Sequence, residues 1–427
     1  MNKDNAYNDN EPKPAVEKSL LFAGKILRLC RNLFLQKEFN SLPLVLSAAL
    51  LILVSASACY AVTGAGLQPQ ISAVLGRNAE IRQTGAQEEL TCRAALNAVF
   101  EASGFSWELS LLKNFEEMPE WQGHDSVIDL ARLFTPKIPE ELVANPDAAI
   151  SEQQCKTLMN WLAQCKKGCS VRISFTHPFG PQLRLLRQNL GNPAVDNNNG
   201  TLQDKPLFSA TVVFDLKDFR GRLAFAKTFG GSEKIALSTM AEETYGTVVA
   251  VNGGYSHDEK PIGILKNEGV TIWGTPWPGR SGICWNDDGA VRFADGSSTD
   301  WFTTPEAKTF AQALQAGPRL LKNGQPCKGD EKLEDKIIRD RCPRSIIGTD
   351  GNKLYLTVID GRNNMHSSGT TIEETKACCA ALGMKDALNL DGGGSSSLWW
   401  MGRTVTLPSN GGVERTLPYG ILFTRPE

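Results

Sequence analysis

Near the C-terminus the chain reads Asp386-Ala-Leu-Asn-Leu-Asp-Gly-Gly-Gly-Ser-Ser-Ser397, a short apolar run followed by a carboxylate, three glycines and three hydroxyl side chains. The apolar run is typical of a buried strand that ends at Asp391. Three consecutive glycines let the backbone adopt a positive φ or pass close to a ligand without a clash at Cβ. We therefore predict a turn over residues 392–395 whose amide groups point at one anion.

Two earlier strands are predicted to end in corners of the same kind. Thr247-Val-Val-Ala-Val251 leads into Asn252-Gly-Gly, and Thr357-Val-Ile leads into Asp360-Gly-Arg. Arg344 begins a further strand. One glycine-rich corner is common in a β-rich domain, but several that carry carboxylates and arginines indicate a ligand site. We expect that site at one edge of a sheet.

The C-terminal half also carries the turn and cap signals of an α+β domain. Hairpins are predicted around Asn286-Asp-Asp-Gly289 and Asp350-Gly351. Thr371 and Glu374 have the spacing of a capping box, so a helix is expected from there to Leu382. These signals predict a strand-rich domain over residues 206–427.

Residues 64–205 have a different texture and are predicted to form a helical accessory region of unknown role next to the membrane. Residues 64–85 are interpreted as a linker, and residues 176–199, rich in Pro, Gly and Asn, as a turn or disordered loop. The apolar spacing indicates short helices over 88–103, 107–115, 126–133 and 151–166.

The N-terminus predicts a membrane anchor. Residues 1–41 form a tail with basic residues among apolar ones, and Leu42 to Val62 is an uncharged apolar run of 21 residues. Such a run can span a bilayer, and the positive-inside rule places the tail in the cytoplasm. We expect a single-pass transmembrane signal anchor at 42–63 and a C-terminal domain outside the cytoplasm, periplasmic or extracellular. The small residues before Cys59 leave cleavage or lipidation there open, although the long N-terminal region favours an uncleaved anchor.

Composition excludes some functions and leaves the cysteines unassigned. A net charge of −2 over 427 residues gives no electrostatic case for nucleic acid. The 11 cysteines show no repeated CxxC pattern, so a zinc site is not indicated. Export would permit disulfides, for which Cys327 with Cys342, and Cys155 with Cys165 or Cys169, are candidate pairs. The oligomeric state is not predicted.

A series of motifs in residues 206–425 resembles the phosphodiester glycosidase family. The motifs, in order, are Val251-Asn-Gly-Gly-Tyr255, Pro261-Ile-Gly263, Ala316-Gly-Pro318, Arg344-Ser-Ile-Ile-Gly-Thr349, Val358-Ile-Asp-Gly-Arg362, Gly369-Thr-Thr-Ile372 and Asn389-Leu-Asp-Gly-Gly-Gly-Ser-Ser396. Ser256 stands where the family usually has Phe, which leaves substrate detail open. The resemblance does not extend to residues 1–205.

The resemblance implies an α+β fold with a central mixed, mostly antiparallel sheet and flanking helices. It also implies a hydrolase that releases a sugar from a sugar-1-phosphodiester, here on a cell-envelope glycan, since bacterial relatives are often labelled exopolysaccharide-biosynthesis proteins. The matching positions are Asn252, Gly253, Gly254, Arg344, Asp360, Gly361, Arg362, Glu373, Asp391, Gly392, Gly393, Gly394 and Ser395.

The chemistry of that reaction suggests roles for these residues. Cleavage at C1 builds positive charge on the sugar, which carboxylates stabilise, and arginine binds phosphate in a bidentate manner. We expect Asp360 and Asp391 to be the catalytic pair, with Glu373 as the alternate. We expect Arg344 and Arg362 to hold the phosphate. No cofactor is specified, and a divalent cation beside the two aspartates stays open.

Two other functions remain open on sequence alone. A non-catalytic glycan-binding module would keep the same corners, and a scaffold of polysaccharide export would use residues 64–205 to dock a partner. A serine hydrolase that uses Ser395 is disfavoured because the Gly-x-Ser-x-Gly elbow is missing.

Overall fold

The computed structural model describes residues 64–78, 90–116, 124–194, 198–258, 260–296, 302, 304–328, 331 and 333–426. The predicted tail at 1–41 and the predicted anchor at 42–63 lie outside these residues. Among the residues that are described, no helix combines the length and the apolar character needed to cross a membrane.

The helices lie mainly in the accessory region. They are α1 (Gly64–Leu75), α2 (Cys92–Ala102), α3 (Ser106–Glu116), α4 (Ser126–Arg132), α5 (Glu152–Cys165), α6 (Leu237–Glu243), α7 (Pro305–Lys308), α8 (Asp335–Arg339) and α9 (Ile372–Ala381). The four helices predicted between residues 88 and 166 correspond to α2 to α5. The linker predicted at 64–85 instead contains α1, because Leu67 and Ile71, one turn apart, are fully buried in the core.

The strands form three larger sheets and one small pair. They are β1 (Phe134–Thr135), β2 (Ser170–Phe175), β3 (Gln182–Gln188), β4 (Leu207–Phe214), β5 (Arg220–Phe225), β6 (Thr247–Asn252), β7 (Ser256–His257), β8 (Lys260–Pro261), β9 (Leu265–Asn267), β10 (Val270–Trp273), β11 (Gly282–Trp285), β12 (Val291–Ala294), β13 (Gln312–Gln315), β14 (Arg319–Lys322), β15 (Gln325–Pro326), β16 (Arg344–Thr349), β17 (Leu354–Ile359), β18 (Asp386–Asn389), β19 (Leu398–Trp400), β20 (Arg403–Thr404) and β21 (Tyr419–Thr424).

A nine-stranded sheet runs in the order β1-β2-β3-β4-β17-β16-β18-β14-β15. Two five-stranded sheets have the orders β10-β9-β13-β11-β12 and β20-β19-β6-β21-β5, and β7 pairs with β8. The α+β class is therefore confirmed. Every strand pair within the described residues is antiparallel, so the parallel component of the mixed sheet implied by the resemblance is not found there.

The accessory region contributes strands to the nine-stranded sheet. The loop predicted at 176–199 contains β3, which pairs with β4 so that Leu185 lies opposite Ala210. The sequence hides this strand because Arg187 occupies one of its buried positions and interrupts the apolar alternation. Backbone hydrogen bonds therefore cross the predicted domain boundary at 205/206, and the boundary itself stays a prediction.

Aromatic packing joins the two regions a second time. Phe115 of α3, Phe175 of β2 and Trp400 of β19 contact one another, with ring centroids 4.1–6.3 Å apart. The Trp400 indole N–H donates to the carbonyl oxygen of Pro181 at 2.8 Å. The accessory region and the glycine-rich corners are thus parts of one continuous core.

The candidate disulfides are not formed. The cysteines at 92, 155, 165, 169, 284, 327, 342, 378 and 379 are free thiols. Cys155 Sγ lies 3.4 Å from Gln70 Oε1 of helix α1 instead.

Candidate active site

The glycine-rich corners converge where two sheets meet. The side chain of Asn252, at the end of β6, is fully buried, and its Nδ2 donates to the carbonyl oxygen of Asp391 at 2.8 Å. Its Oδ1 accepts hydrogen bonds from Ser345 Oγ at 2.7 Å and from the Ser397 N–H at 3.3 Å. Because β6 belongs to a five-stranded sheet and β16 and β18 to the nine-stranded one, the site lies between two sheets and not at one edge of a single sheet.

Gly253 and Gly254 are glycines because the Tyr419 ring lies against them. A Cβ at Gly253 would overlap that ring, and one at Gly254 would lie 3.0 Å from Tyr419 Oη. The Gly254 N–H donates to Tyr419 Oη at 2.8 Å, and the Gly253 carbonyl accepts from the Asp391 N–H at 3.2 Å. These two predicted binding residues therefore support the turn from behind.

The turn that follows Asp391 is a single 3₁₀ turn, Gly393–Ser395, in which Gly393 has a φ of 61°. Its amides are largely used within the protein. The Gly392 N–H donates to Asp391 Oδ1 at 2.9 Å, and the Gly393 N–H donates to the Pro343 carbonyl at 2.9 Å. The predicted convergence of these two amides on a ligand is therefore wrong, so an anion needs other donors.

Two arginines from distant segments supply such donors. A Cβ at Gly393 would lie 3.0 Å from Arg362 Nη2, and a Cβ at Gly394 would lie 2.5 Å from Arg415 Nη2. Arg415 Nη1 is also 3.5 Å from Ser395 Oγ. Both arginines are exposed. The glycines thus allow two guanidinium groups to lie directly against the turn, where they can bind an anion in a bidentate manner.

Sequence reasoning missed Arg415. It lies between β20 and β21, in a segment without strand or helix periodicity. The residue before it is Glu414. The Glu414 carboxylate accepts a hydrogen bond from the Ser238 N–H at 3.2 Å and short ones from the hydroxyls of Ser238 and Ser397. These bonds anchor the segment that carries Arg415 beside the turn.

Asp391 is the carboxylate at the centre of this arrangement. Burial raises its pKa above the ordinary range of an aspartate. Hydrogen bonds from the Ser395 side chain and the Gly392 N–H, together with the charge of Arg415, lower the pKa but do not cancel the effect of burial. Asp391 can therefore hold or accept a proton at a pH where an exposed aspartate would not.

Tyr255 lies beside Asp391. The sequence predicted no role for this residue. Its hydroxyl donates to the Gly317 carbonyl at 2.8 Å, and its ring meets Trp277 edge-on at 5.4 Å. Burial, followed by the charge of Asp391, raises the pKa of Tyr255, while Arg344 lowers it. Tyr255 is thus a neutral phenol close to both the carboxylate and a buried arginine.

The guanidinium group of Arg344 is bound to the backbone. Its Nε donates to the Thr370 carbonyl at 2.9 Å, and its Nη2 donates to the carbonyls of Ile337 and Asp340 at 2.8 and 3.0 Å. Burial raises the pKa values of both Tyr255 and Cys342, and the charge of Arg344 opposes this effect at each of them, which indicates positive potential in the site. The structure thus shows Arg344 behind the turn and not in the open position that we expected for a phosphate contact.

Asp360 and Asp391 have separate partners. Asp360 Oδ2 accepts from the Leu407 N–H at 2.8 Å and lies 2.9 Å from His366 Nε2. Burial raises the pKa of Asp360, and His366 opposes this effect. Gly361 brings the chain back against the backbone of Cys342, where a Cβ would lie 2.8 Å from the carbonyl carbon. These contacts do not join the two aspartates, and the catalytic pair stays a prediction.

Glu373 is not brought into this arrangement. It lies in the first turn of α9, is 75% exposed, and pairs with Lys376 Nζ at 2.6 Å. An acidic residue at this position stabilises the helix dipole. In the described part of the chain, no group of three or more His, Cys, Asp or Glu side chains is arranged to hold a metal ion.

The comparison with protein families identifies the C-terminal half. Residues 245–424 match the model of the family described as phosphodiester glycosidase. The chain contains a phosphodiester glycosidase domain. This confirms the family predicted from the motifs, and the family supports a glycosidase-type hydrolase. The matched segment includes Asn252, Arg362, Asp391 and Arg415, and it excludes the accessory region.

Three solved structures are similar to parts of the chain. A hypothetical protein from Synechocystis is 17% identical with a TM-score of 0.48, over 60% of this chain and 64% of its own. The zebrafish N-acetylglucosamine-1-phosphodiester alpha-N-acetylglucosaminidase catalytic domain, auto-inhibited by its pro-peptide, is 17% identical with a TM-score of 0.45, over 61% of this chain and 83% of its own.

A putative exported protein from Burkholderia pseudomallei is 13% identical with a TM-score of 0.42, over 60% of this chain and 96% of its own. Of the Synechocystis protein, the chain spans less than two thirds of the length. No curated protein sequence matches the chain.

Proposed function

We propose that the protein is a hydrolase that cleaves the C1–O bond of a sugar-1-phosphodiester. The observation that carries this proposal is the position of Arg362 and Arg415 against the turn that follows Asp391. Two exposed guanidinium groups suit a phosphodiester anion, and a carboxylate with a raised pKa lies next to them. The family of residues 245–424 supports the same class of reaction.

In the proposed reaction, water adds to C1 of the sugar while the C1–O bond breaks. The bridging oxygen leaves with the phosphate, and the products are the free sugar and a phosphomonoester. The transition state carries positive charge on the sugar ring, which an ionised Asp391 stabilises while it accepts a proton from the attacking water. The phosphomonoester is a good leaving group because its second pKa is about 6, so charge neutralisation by Arg362 and Arg415 replaces strong general-acid help.

Four other residues have supporting roles in this proposal. Arg344 contributes positive potential from behind the turn, and Asn252 fixes the position of Asp391. Tyr255 supplies a neutral hydroxyl beside the carboxylate. Asp360 holds the turn that carries Arg362 and does not itself contact the substrate.

We also propose that the substrate is a cell-envelope glycan or glycoconjugate outside the cytoplasmic membrane. The apolar run at 42–63 and the basic residues before it support this location. Protease treatment of intact cells and spheroplasts tests it: the C-terminal domain should be degraded only when the outer face of the cytoplasmic membrane is accessible. Protection until the membrane is dissolved would contradict the location without touching the reaction.

Turnover of the full chain in detergent tests the reaction itself. The substrates are a panel of glycosyl phosphodiesters that includes UDP-N-acetylglucosamine, with an aryl glycoside that lacks phosphate and a diaryl phosphodiester that lacks sugar as comparators. In water enriched in ¹⁸O, the label should appear in the released sugar. Label in the phosphomonoester would mean that the P–O bond breaks and would refute glycosidase chemistry.

The role of Asp391 is tested by Asp391→Asn, which should lower kcat by a factor of about 10² to 10⁴. Asp288→Asn is the matched control, because Asp288 lies in an exposed hairpin turn and accepts only a local hydrogen bond from the Ala290 N–H. A folded Asp391→Asn variant with undiminished turnover would refute the role. Tight binding of glycan phosphodiesters by the wild-type chain without any turnover would favour the non-catalytic binding module.

A further inference from the structure

Four buried ionisable side chains form a continuous chain of contacts beneath the site. Arg187 Nε lies 3.0 Å from Glu108 Oε1, which in turn lies 3.3 Å from His366 Nδ1. His366 Nε2 is 2.9 Å from Asp360 Oδ2. Each of the four side chains is at most 4% exposed. We call this group the buried charge chain.

The buried charge chain joins two parts of the sequence. Glu108 lies on α3 and Arg187 on β3, both outside the segment that matches the glycosidase family. His366 and Asp360 lie in the loop after β17, inside that segment. Burying four ionisable groups opposes folding unless each finds a partner, and apolar residues would fill the same space at lower cost. The arrangement would be accounted for if these groups hold the loop after β17 in place.

The accessory region also donates hydrogen bonds to the backbone of this loop. Arg187 Nη2 donates to the Met365 carbonyl at 3.1 Å, and the Asn192 N–H donates to the Asn364 carbonyl at 2.7 Å. A side chain at Gly191 would collide with the Met365 carbonyl. The position of the loop is therefore set by residues that the family segment does not contain.

The same loop determines where Arg362 lies. Arg362 adopts a left-handed backbone conformation with a φ of 63°, which is uncommon for a residue with a side chain. Its N–H donates to the Ser368 carbonyl at 3.4 Å, and Ser367 Oγ donates to the Asp360 carbonyl at 2.6 Å. Asp360, held by His366, thus begins the turn that carries the Arg362 guanidinium group to Gly393.

We propose that Glu108 and Arg187 are positioning residues of the active site, which act through His366 and Asp360 to hold Arg362 beside Gly393. The inference rests on the proposed function, because Arg362 is there the contact to the phosphodiester. It adds that the site is incomplete without the accessory region, although neither residue contacts the substrate.

The charges around His366 suit this role. Glu108 from α3 and Asp360 from its own loop lie at its two ring nitrogens, and the Phe208 ring lies 4.7 Å from the imidazole. Burial disfavours the imidazolium, but the two carboxylates outweigh it and raise the pKa of His366. Burial likewise disfavours ionised Glu108, yet His366 and Arg187 hold its pKa below the ordinary range. The protonated form of His366 is therefore favoured, with Asp360 Oδ2 within hydrogen-bond distance of Nε2 and the Glu108 charge close to Nδ1.

Binding of sulfate to the full chain tests the proposal, because sulfate stays a dianion throughout the useful pH range. Glu108→Gln keeps the shape of the side chain and removes its charge. We expect this variant and Arg362→Ala each to weaken sulfate binding about tenfold, which corresponds to one displaced charge-assisted contact. The double variant should be no weaker than Arg362→Ala alone, because Glu108 acts through Arg362.

Glu152→Gln is the matched control, since Glu152 is an exposed helical residue paired with Lys156. Unchanged sulfate binding by a folded Glu108→Gln variant, or a double variant with fully additive losses, would overturn the proposal. If Glu108→Gln does not fold, Arg187→Lys replaces it, because lysine keeps the charge but has one nitrogen in place of the separate Nε and Nη2 that contact Glu108 and Met365. We expect the same loss of sulfate binding for Arg187→Lys, and unchanged binding would count against the proposal.

A readout on the unmodified protein complements the variants. The full chain contains four histidines, so isotope-labelled histidine gives few ring signals to assign by NMR. The His366 ring should titrate above the ordinary value of about 6.5, and sulfate affinity should fall as that ring loses its proton. A ring that titrates below that value, or an affinity that does not follow its titration, would contradict the proposal. Because sulfate binding needs no turnover, a wild-type chain without glycosidase activity would refute the proposed function and still leave this inference testable.

Discussion

Asn252 Nδ2 donates a 2.8 Å hydrogen bond to the carbonyl oxygen of Asp391. The same amide nitrogen lies 3.1 Å from the Gly253 carbonyl, and Oδ1 accepts from Ser345 Oγ and the Ser397 N–H. One fully buried side chain thus ties the five-stranded sheet of β6 to the nine-stranded sheet of β16 and β18. The position of Asp391 depends on this amide.

Asn252→Asp should therefore disturb both stability and activity. The change keeps the shape but replaces the Nδ2 donor with an acceptor, which leaves the carbonyls of Asp391 and Gly253 facing an oxygen. We expect a loss of about 1–3 kcal/mol in the free energy of unfolding and a lower kcat/KM. Urea unfolding and turnover measure the two effects. Asn352→Asp, in an exposed turn, is the control. Equal stability of the two variants would contradict the role of the Asn252 side chain in joining the two sheets.

Arg415 should be as important for phosphodiester binding as Arg362. Charge-assisted hydrogen bonds contribute about 1.5–3 kcal/mol, so Arg415→Ala should raise KM by about 10- to 100-fold. Inhibition by the free sugar should stay unchanged, because the arginine contacts the phosphate. Arg292→Ala is the control, since that arginine is 54% exposed and lies 3.6 Å from Glu306. An equal loss of affinity for free sugar and diester would remove Arg415 from the phosphate contact.

Local signals in the sequence were sufficient for several elements and for the family. The capping box predicted at Thr371 and Glu374 is present at the start of α9, because both of its bonds form within one turn of chain. The strand-to-corner patterns at Asn252 and Asp391 likewise identified segments that converge. In each case the physical cause lies within a few residues of the signal.

The features that sequence reasoning missed depend on contacts between distant segments. Arg187 interrupts the alternation of β3, and only its partner Glu108 explains why a charge is buried there. Arg415 carries no local pattern, and the anchor of its neighbour Glu414 is Ser238. The contact of His366 Nε2 with Asp360 Oδ2 was likewise not predicted from the sequence. Such partners are set by the folded chain and not by spacing.

Gly394→Ala should reduce activity without a large loss of stability. The new Cβ would lie 2.5 Å from Arg415 Nη2, the far end of a flexible and exposed side chain that can move away. Arg415 then leaves the turn, so KM for the diester should rise towards the value of Arg415→Ala. Gly274→Ala is the control, because its Cβ would meet nothing closer than 3.4 Å. A Gly394→Ala variant with normal KM would show that Arg415 need not touch the turn.

Glu373→Gln tests whether the alternate carboxylate has a catalytic role. The Glu373 side chain is 75% exposed and pairs with Lys376. The substitution should therefore leave kcat and KM within about twofold of wild type, as for most exposed substitutions. Steady-state kinetics beside Asp391→Asn measures the contrast. A fall in kcat comparable with that of Asp391→Asn would return Glu373 to the catalytic group.

The acid limb of the pH profile should report on Asp391. Burial raises its pKa, and the Arg415 charge lowers it. Because the ionised carboxylate is the active form in the proposed reaction, kcat/KM should fall as the pH drops through this raised pKa. Arg415→Ala removes the charge that favours ionisation, so the limb should move to higher pH, whereas Arg415→Lys should keep it in place. Added salt should move the wild-type limb in the same direction as Arg415→Ala, because Arg415 is exposed and its charge is screened.

Unfolding at several pH values checks the same carboxylate independently of turnover. A folded-state pKa above the unfolded value of about 3.9 means that the protonated group contributes stability at low pH, and that this contribution is lost as the pH rises through the folded-state pKa. The free energy of unfolding of wild type relative to Asp391→Asn should therefore decrease across that window. A relative stability that rises with pH would show that the folded protein stabilises the charged carboxylate and that burial does not control its titration. An acid limb that moves to lower pH in Arg415→Ala would show that the Arg415 charge does not favour ionisation of the group that the limb reports.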